Sequence, residues 1–115
     1  MRSIAMLCTA LVTGCAAPAV VTKEGQSFDY RTSKPASSVA ACIKRNADEM
    51  GSGTNARLAT NLEGDPEVVI RNRADGSVIA IAQVVADRGT RVNALITQYT
   101  TSAASVANGL VNDCL

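Results

Sequence analysis

The chain has 115 residues, 47% hydrophobic and 18% charged, which allows one small globular domain and argues against disorder. Its 11 Lys and Arg against 10 Asp and Glu give a net charge of +1, so the overall balance makes no electrostatic case for nucleic acid or for an anionic membrane face. There is no histidine, the commonest metal ligand and the usual general base near neutral pH, and aromatics are only 3%, so Val, Ile, Leu and Ala must build the core.

Residues 1–14 have the layout of a signal peptide: one cation, Arg2, then an apolar run from Ile4 to Val12. The run is far short of the roughly 20 residues a membrane-spanning helix needs. It ends in Leu11-Val12-Thr13-Gly14-Cys15, which resembles the lipobox of bacterial lipoproteins: an aliphatic residue, a small one, Gly or Ala, then Cys. The resemblance implies cleavage between Gly14 and Cys15, a thioether-linked diacylglycerol on Cys15 and an acyl group such as palmitate on the new amino terminus. Several acyl chains, at roughly 0.8 kcal/mol per buried methylene, make such an anchor effectively permanent. Inner-membrane lipoproteins often carry Asp after the lipidated Cys. Ala16 stands here, so the resemblance points to the outer membrane, facing the periplasm, in a Gram-negative cell, or to the outer face of the plasma membrane otherwise.

Cys8 leaves with the leader and Cys15 is consumed by lipid. Cys42 and Cys114 remain, a pair in a chain bound for an oxidising compartment. Residues 15–32 read as the lipidated Cys and a flexible tether, with a compact domain over 33–115. Within the tether Phe28 and Tyr30 stand out, either as a short extended segment docked on the domain or as a contact motif for a partner.

The domain opens with Ser33-Lys34-Pro35-Ala36, Pro being tolerated in a first helical turn. Val39, Cys42, Ile43, Ala47 and Met50 follow as a helical stripe, and Gly51 is a natural stop. Four strands are expected at 56–62, 67–72, 78–86 and 90–99, separated by Glu63-Gly64-Asp65-Pro66, Asp75-Gly76 and Arg88-Gly89. A last helix, capped by Thr101 or Ser102, carries Ala103, Val106, Ala107, Leu110, Val111 and Cys114 on one face.

Two-residue hairpins at Asp75-Gly76 and Arg88-Gly89 would put Val68, Ile70, Ile79, Ile81, Val85, Val92, Ala94 and Ile96 on one face, joined by Leu58 and Leu62. That face is the expected core. The expected fold is therefore α+β: a two-layer, antiparallel three- to four-stranded meander with an N-terminal and a C-terminal helix packed on one face. Helices side by side would bring Cys42 and Cys114 within bridging reach. A bridge closing a loop of about 70 residues would stabilise so small a domain by roughly 4 kcal/mol.

The same parity leaves Ala80, Ala82 and Val84 as a small apolar stripe on the opposite face, with Arg71, Arg91, Leu95 and Tyr99 around it. Apolar surface rimmed by polar groups marks an interaction site, unless the tether folds over it or arginine stems cover it. Catalysis finds little support. Asp48-Glu49 and Glu63-x-Asp65-x-Glu67 fall at a helix end and a turn, where solvated acids are ordinary, and they lack the spacing of a calcium loop. Without a metal-ligand cluster or a Gly-rich phosphate loop, no cofactor is expected. The helix–meander–helix layout is similar to small bacterial lipoproteins of unassigned role. The expected function is that of a membrane-anchored, non-catalytic binding or structural module of the cell envelope, with an envelope protein or a second copy as partner. The alternative is a defence or inhibitor lipoprotein that binds an envelope enzyme or a phage component.

Overall fold

The computed structural model describes residues 25–115. In chain order they form β1 (Gln26–Thr32), α1 (Ala36–Asp48), β2 (Thr54–Thr60), β3 (Pro66–Asn72), β4 (Val78–Ala86), β5 (Thr90–Ile96) and α2 (Ala103–Val111). The strands make one antiparallel sheet in the order β1-β5-β4-β3-β2. Strands β2 to β5 are a meander joined at the turn residues named above. Helix α1 packs over β2, β3 and β4, α2 packs over β5 and β1, and the helices touch each other. The fold is thus α+β with a helical layer on one side of the sheet.

The sheet has five strands, one more than the sequence pattern predicts. Gln26–Thr32, assigned there to the tether, pairs with β5 along its whole length, Phe28 opposite Ala94 and Tyr30 opposite Val92. Period-2 alternation explains the pairing: Phe28, Tyr30 and Thr32 are partly buried, while Ser27, Asp29 and Arg31 are exposed. Both rings pack against the core on the helix side. The Tyr30 hydroxyl donates to Asn108 Oδ1 of α2 at 3.0 Å, and burial pushes its pKa up.

Pro35 sits at the N-cap of α1 with extended backbone, and its carbonyl accepts from the Val39 amide at 3.1 Å. Val39, Ala40, Ile43 and Ala47 form the buried stripe, while Lys44 pairs with Asp48 on the outside. Met50 falls in the turn beyond the helix and is largely exposed. Helix α2 starts at Ser102, whose hydroxyl accepts from the Ser105 amide at 3.0 Å. Ala103, Ala107, Leu110 and Val111 face inward from it.

The core face of β3 and β5 is the expected one, but that of β4 is reversed. Val68 and Ile70 pair with Ala82 and Ala80, which pair in turn with Ala94 and Ile96, and all six are fully buried. Val84 is buried beside them, while Ile81 and Val85 are turned to the other face.

Two local features cause the reversal. The β3–β4 register slips between Ile70–Ala80 and Arg71–Val78, so Ile79 is an extra residue, a β-bulge that flips every β4 side chain beyond it. The β4–β5 connection has three residues, Asp87–Gly89, because Ala86 pairs with Thr90. Arg88 and Gly89 both take positive φ there, 52° and 103°, and a Cβ on Gly89 would lie 2.8 Å from the Thr32 carbonyl oxygen.

Leu58 and Leu62 also depart from expectation, at 44% and 102% exposure. Strand β2 is an edge of the sheet, and its packing against the core goes through Ala56. Leu62 lies past the strand end, in a turn tied by the Asn61 side chain to the amides of Glu63 and Asp65.

Candidate functional site

Cys42 of α1 and Cys114 just past α2 form a disulfide, with Cα atoms 5.6 Å apart. Both residues are buried, so the bridge is a staple between the helices and not an accessible redox pair. Asn46, one turn along α1, reinforces it. Its side-chain amide donates to the carbonyls of Leu110 and Asn112, each at 2.9 Å, and lies 3.3 Å from Cys114 Sγ. These carbonyls close the end of α2 and would otherwise lack an intrahelical donor. Nothing in the sequence around Asn46 announces this role, since its partners lie more than 60 residues away. Beside it, Glu49, Met50, Ser105 and Val106 line a shallow groove of about 330 Å³ between the helices.

The larger feature is the face of the sheet away from the helices. The register places Arg57, Val69, Ile81, Leu95 and Ser27 in one row across all five strands. Val69, Ile81 and Leu95, at its centre, are half-buried and lie outside the core cluster. The next row runs Glu67, Gln83, Asn93, Asp29, and the Asn93 amide donates to the Asp29 carboxylate at 2.9 Å. Beyond it Val85, Arg91 and Arg31 stand side by side, and Arg31 pairs with Asp87 at 3.1 Å. Arg71 is exposed and donates to the Gly76 carbonyl at 3.0 Å.

The structure divides the residues expected on the interaction face between the two sides of the sheet. Arg71, Arg91 and Leu95 lie on the open side. Tyr99 lies past the end of β5 and is 42% exposed, its hydroxyl accepting from Gln26 Nε2 at 3.1 Å. Ala80, Ala82 and Val84 are in the core, each at 0% exposure, because the bulge at Ile79 and the three-residue turn reverse β4. Ile81 takes their place, and the open row is bulkier than a stripe of alanines. Gly14 and Cys15 lie outside the described residues.

Among the described residues no group of three or more His, Cys, Asp or Glu could hold a metal ion, and no helix is long and apolar enough to cross a membrane. Asp75 has its carboxyl pKa lowered by hydrogen bonds from the Ser77 hydroxyl and amide, which makes it a turn-forming group. The open face is apolar along its central row and mixed in charge beside it, with Glu67 and Asp29 between that row and Arg91 and Arg31. No family model, curated protein or solved structure matches the chain.

Proposed function

We propose that this protein is a cell-envelope lipoprotein, held by acyl chains on Cys15 and acting as a non-catalytic binding or structural module, on the periplasmic side of the outer membrane in a Gram-negative cell. The observation that carries the reading is Leu11-Val12-Thr13-Gly14-Cys15 at the end of a short apolar run behind Arg2. The Cys42–Cys114 bridge supports it, since such a bond persists in an oxidising compartment. The half-apolar open face supports a contact role.

The test is the mass of the N-terminal peptide of the membrane-extracted protein. A peptide beginning at Cys15 with diacylglyceryl and acyl additions is expected, and Cys15→Ser should abolish them and leave uncleaved precursor. An unmodified Cys15 in the exported protein, or cleavage elsewhere, would overturn the reading.

A further inference from the structure

The charge balance of the whole chain hides a segregation on the sheet. Every charged strand residue, Arg31, Arg57, Arg71 and Arg91 against Asp29 and Glu67, lies on the open-face side of its strand. Arg31 is matched by Asp87, and Asp29 is held by Asn93. Among the described residues Arg57, Arg71 and Arg91 make no ion pair. Arg57 ends the apolar row Val69, Ile81 and Leu95, Arg71 lies one row to one side of it, and Arg91 lies two rows to the other, beyond the row that carries Glu67 and Asp29, so arginines outnumber carboxylates four to two among the strand residues of this face.

The chain also enters the fold at the margin of this face. A Cβ on Gly25 would lie 2.9 Å from Leu95 Cδ1 and 3.2 Å from Thr97 Cγ2, so residue 25 abuts one end of the apolar row. Residues 16–24 alone separate it from Cys15. That stretch reaches at most about 34 Å when fully extended, and five strands span only about 19 Å. A surface held so close to a bilayer meets it at millimolar effective concentration, where a weak patch suffices.

We propose that the open sheet face rests on anionic phospholipid, with Arg57, Arg71 and Arg91 against phosphate groups and Val69, Ile81 and Leu95 against the interfacial hydrocarbon. It rests on the lipid anchor proposed above. Arginine suits the task because its guanidinium takes phosphate oxygens bidentately while its stem lies along apolar surface. Each such contact strengthens adhesion roughly five-fold, and salt weakens it.

The test uses the full lipidated protein in vesicles of phosphatidylcholine, with or without phosphatidylglycerol. A spin label is placed at Gln83→Cys, in the middle of the open face, or at Ser38→Cys, exposed on α1. Collision with a water-soluble nickel chelate should fall several-fold for the label at 83 in anionic vesicles only, recovering in high salt or with Arg57→Gln/Arg91→Gln. The label at 38 should not change. Equal access at 83 in both vesicles would overturn the docking. So would shielding already present in detergent and lost on dilution, which would mean that a second copy covers the face. The mass at Cys15, read on the same sample, separates the two ideas. An acylated chain with an accessible label sinks docking alone, and an unacylated chain sinks the anchor and the docking with it.

Discussion

Val68 of β3 and Ala82 of β4 stand directly opposite each other, both completely shielded from water. Ala82 is opposed on its other side by Ala94, also buried, so two alanines lie side by side in the middle strands under the helices. Small side chains there let α1 and α2 approach the sheet and each other closely, which a disulfide between them requires. Close packing leaves no room for a larger group.

Ala82→Glu should therefore unfold the domain. A carboxylate at this position has no cation or donor in reach and displaces packed atoms, a cost on the order of 4 kcal/mol or more. Ile81→Glu, one residue earlier, points to the open side and should cost about 1 kcal/mol in soluble protein. Thermal melts of the two variants check the parity of β4. Equal loss in both would mean that β4 is buried on both faces.

Most of this architecture is legible in the sequence. The two helices follow from the spacing of Val39, Ile43 and Ala47 and of Ala103, Ala107 and Leu110, and the meander from the turn residues between strands. The face of β4 is not legible, because hydrophobicity favours Ile79, Ile81 and Val85 over Ala80, Ala82 and Val84. A bulge is a long-range compromise with no local signature, and one residue of slip reverses a whole strand. Strand β1 is hidden for a different reason. Its alternation is clear only once Phe28 and Tyr30 are seen to share a face, and its pairing partner β5 lies roughly 60 residues on. The open face inherits the β4 error, so Ile81 is the residue that pattern reasoning misses there.

The Cys42–Cys114 bridge spans 72 residues and should stabilise the domain by about 4 kcal/mol in the chain-entropy account. Cys42→Ala, or reduction of the native protein, should lower the melting temperature by well over 10 °C for a domain of this size. Mass measured with and without reductant should differ by two hydrogens. Two free thiols in the native protein never exposed to reductant would contradict the pairing.

Tyr30 should give the domain an alkaline limit. Its neutral hydroxyl donates to Asn108, and burial raises its pKa above the ordinary 10.0. The unfolded chain releases this proton first. The contribution is thus complete below pH 10 and is lost as pH rises through the higher folded value. Tyr30→Phe should cost about 0.5–1.5 kcal/mol near neutral pH. Its melting temperature should then fall less steeply above pH 10 than that of the unaltered protein. Parallel curves for the two would show that Tyr30 titrates alike in both states.

Asn46 offers the sharpest test of how α1 holds the end of α2. Its amide donates to two carbonyls, a partly buried one on Leu110 and an exposed one on Asn112, so Asn46→Ala leaves the first without that donor away from water and should cost about 1–2 kcal/mol. Asn46→Asp keeps the shape but replaces the donor group with an oxygen. At neutral pH it would aim a carboxylate at the oxygens of Leu110 and Asn112, so it should be less stable than the alanine variant although it is the closer isostere. The aspartate's folded pKa should then be raised by these neighbours. By linkage its penalty is full at neutral pH and shrinks as pH falls through that raised value, where a protonated carboxyl can donate one hydrogen bond. Thermal melts of both variants at neutral and mildly acidic pH should show the order Asp below Ala narrowing or reversing on acidification. Amide exchange should locate the loss in the last turn of α2 and at Cys114, whose amide donates to Val111 at 2.9 Å. An aspartate variant as stable as the unaltered protein at neutral pH would mean that the amide is not what holds these carbonyls.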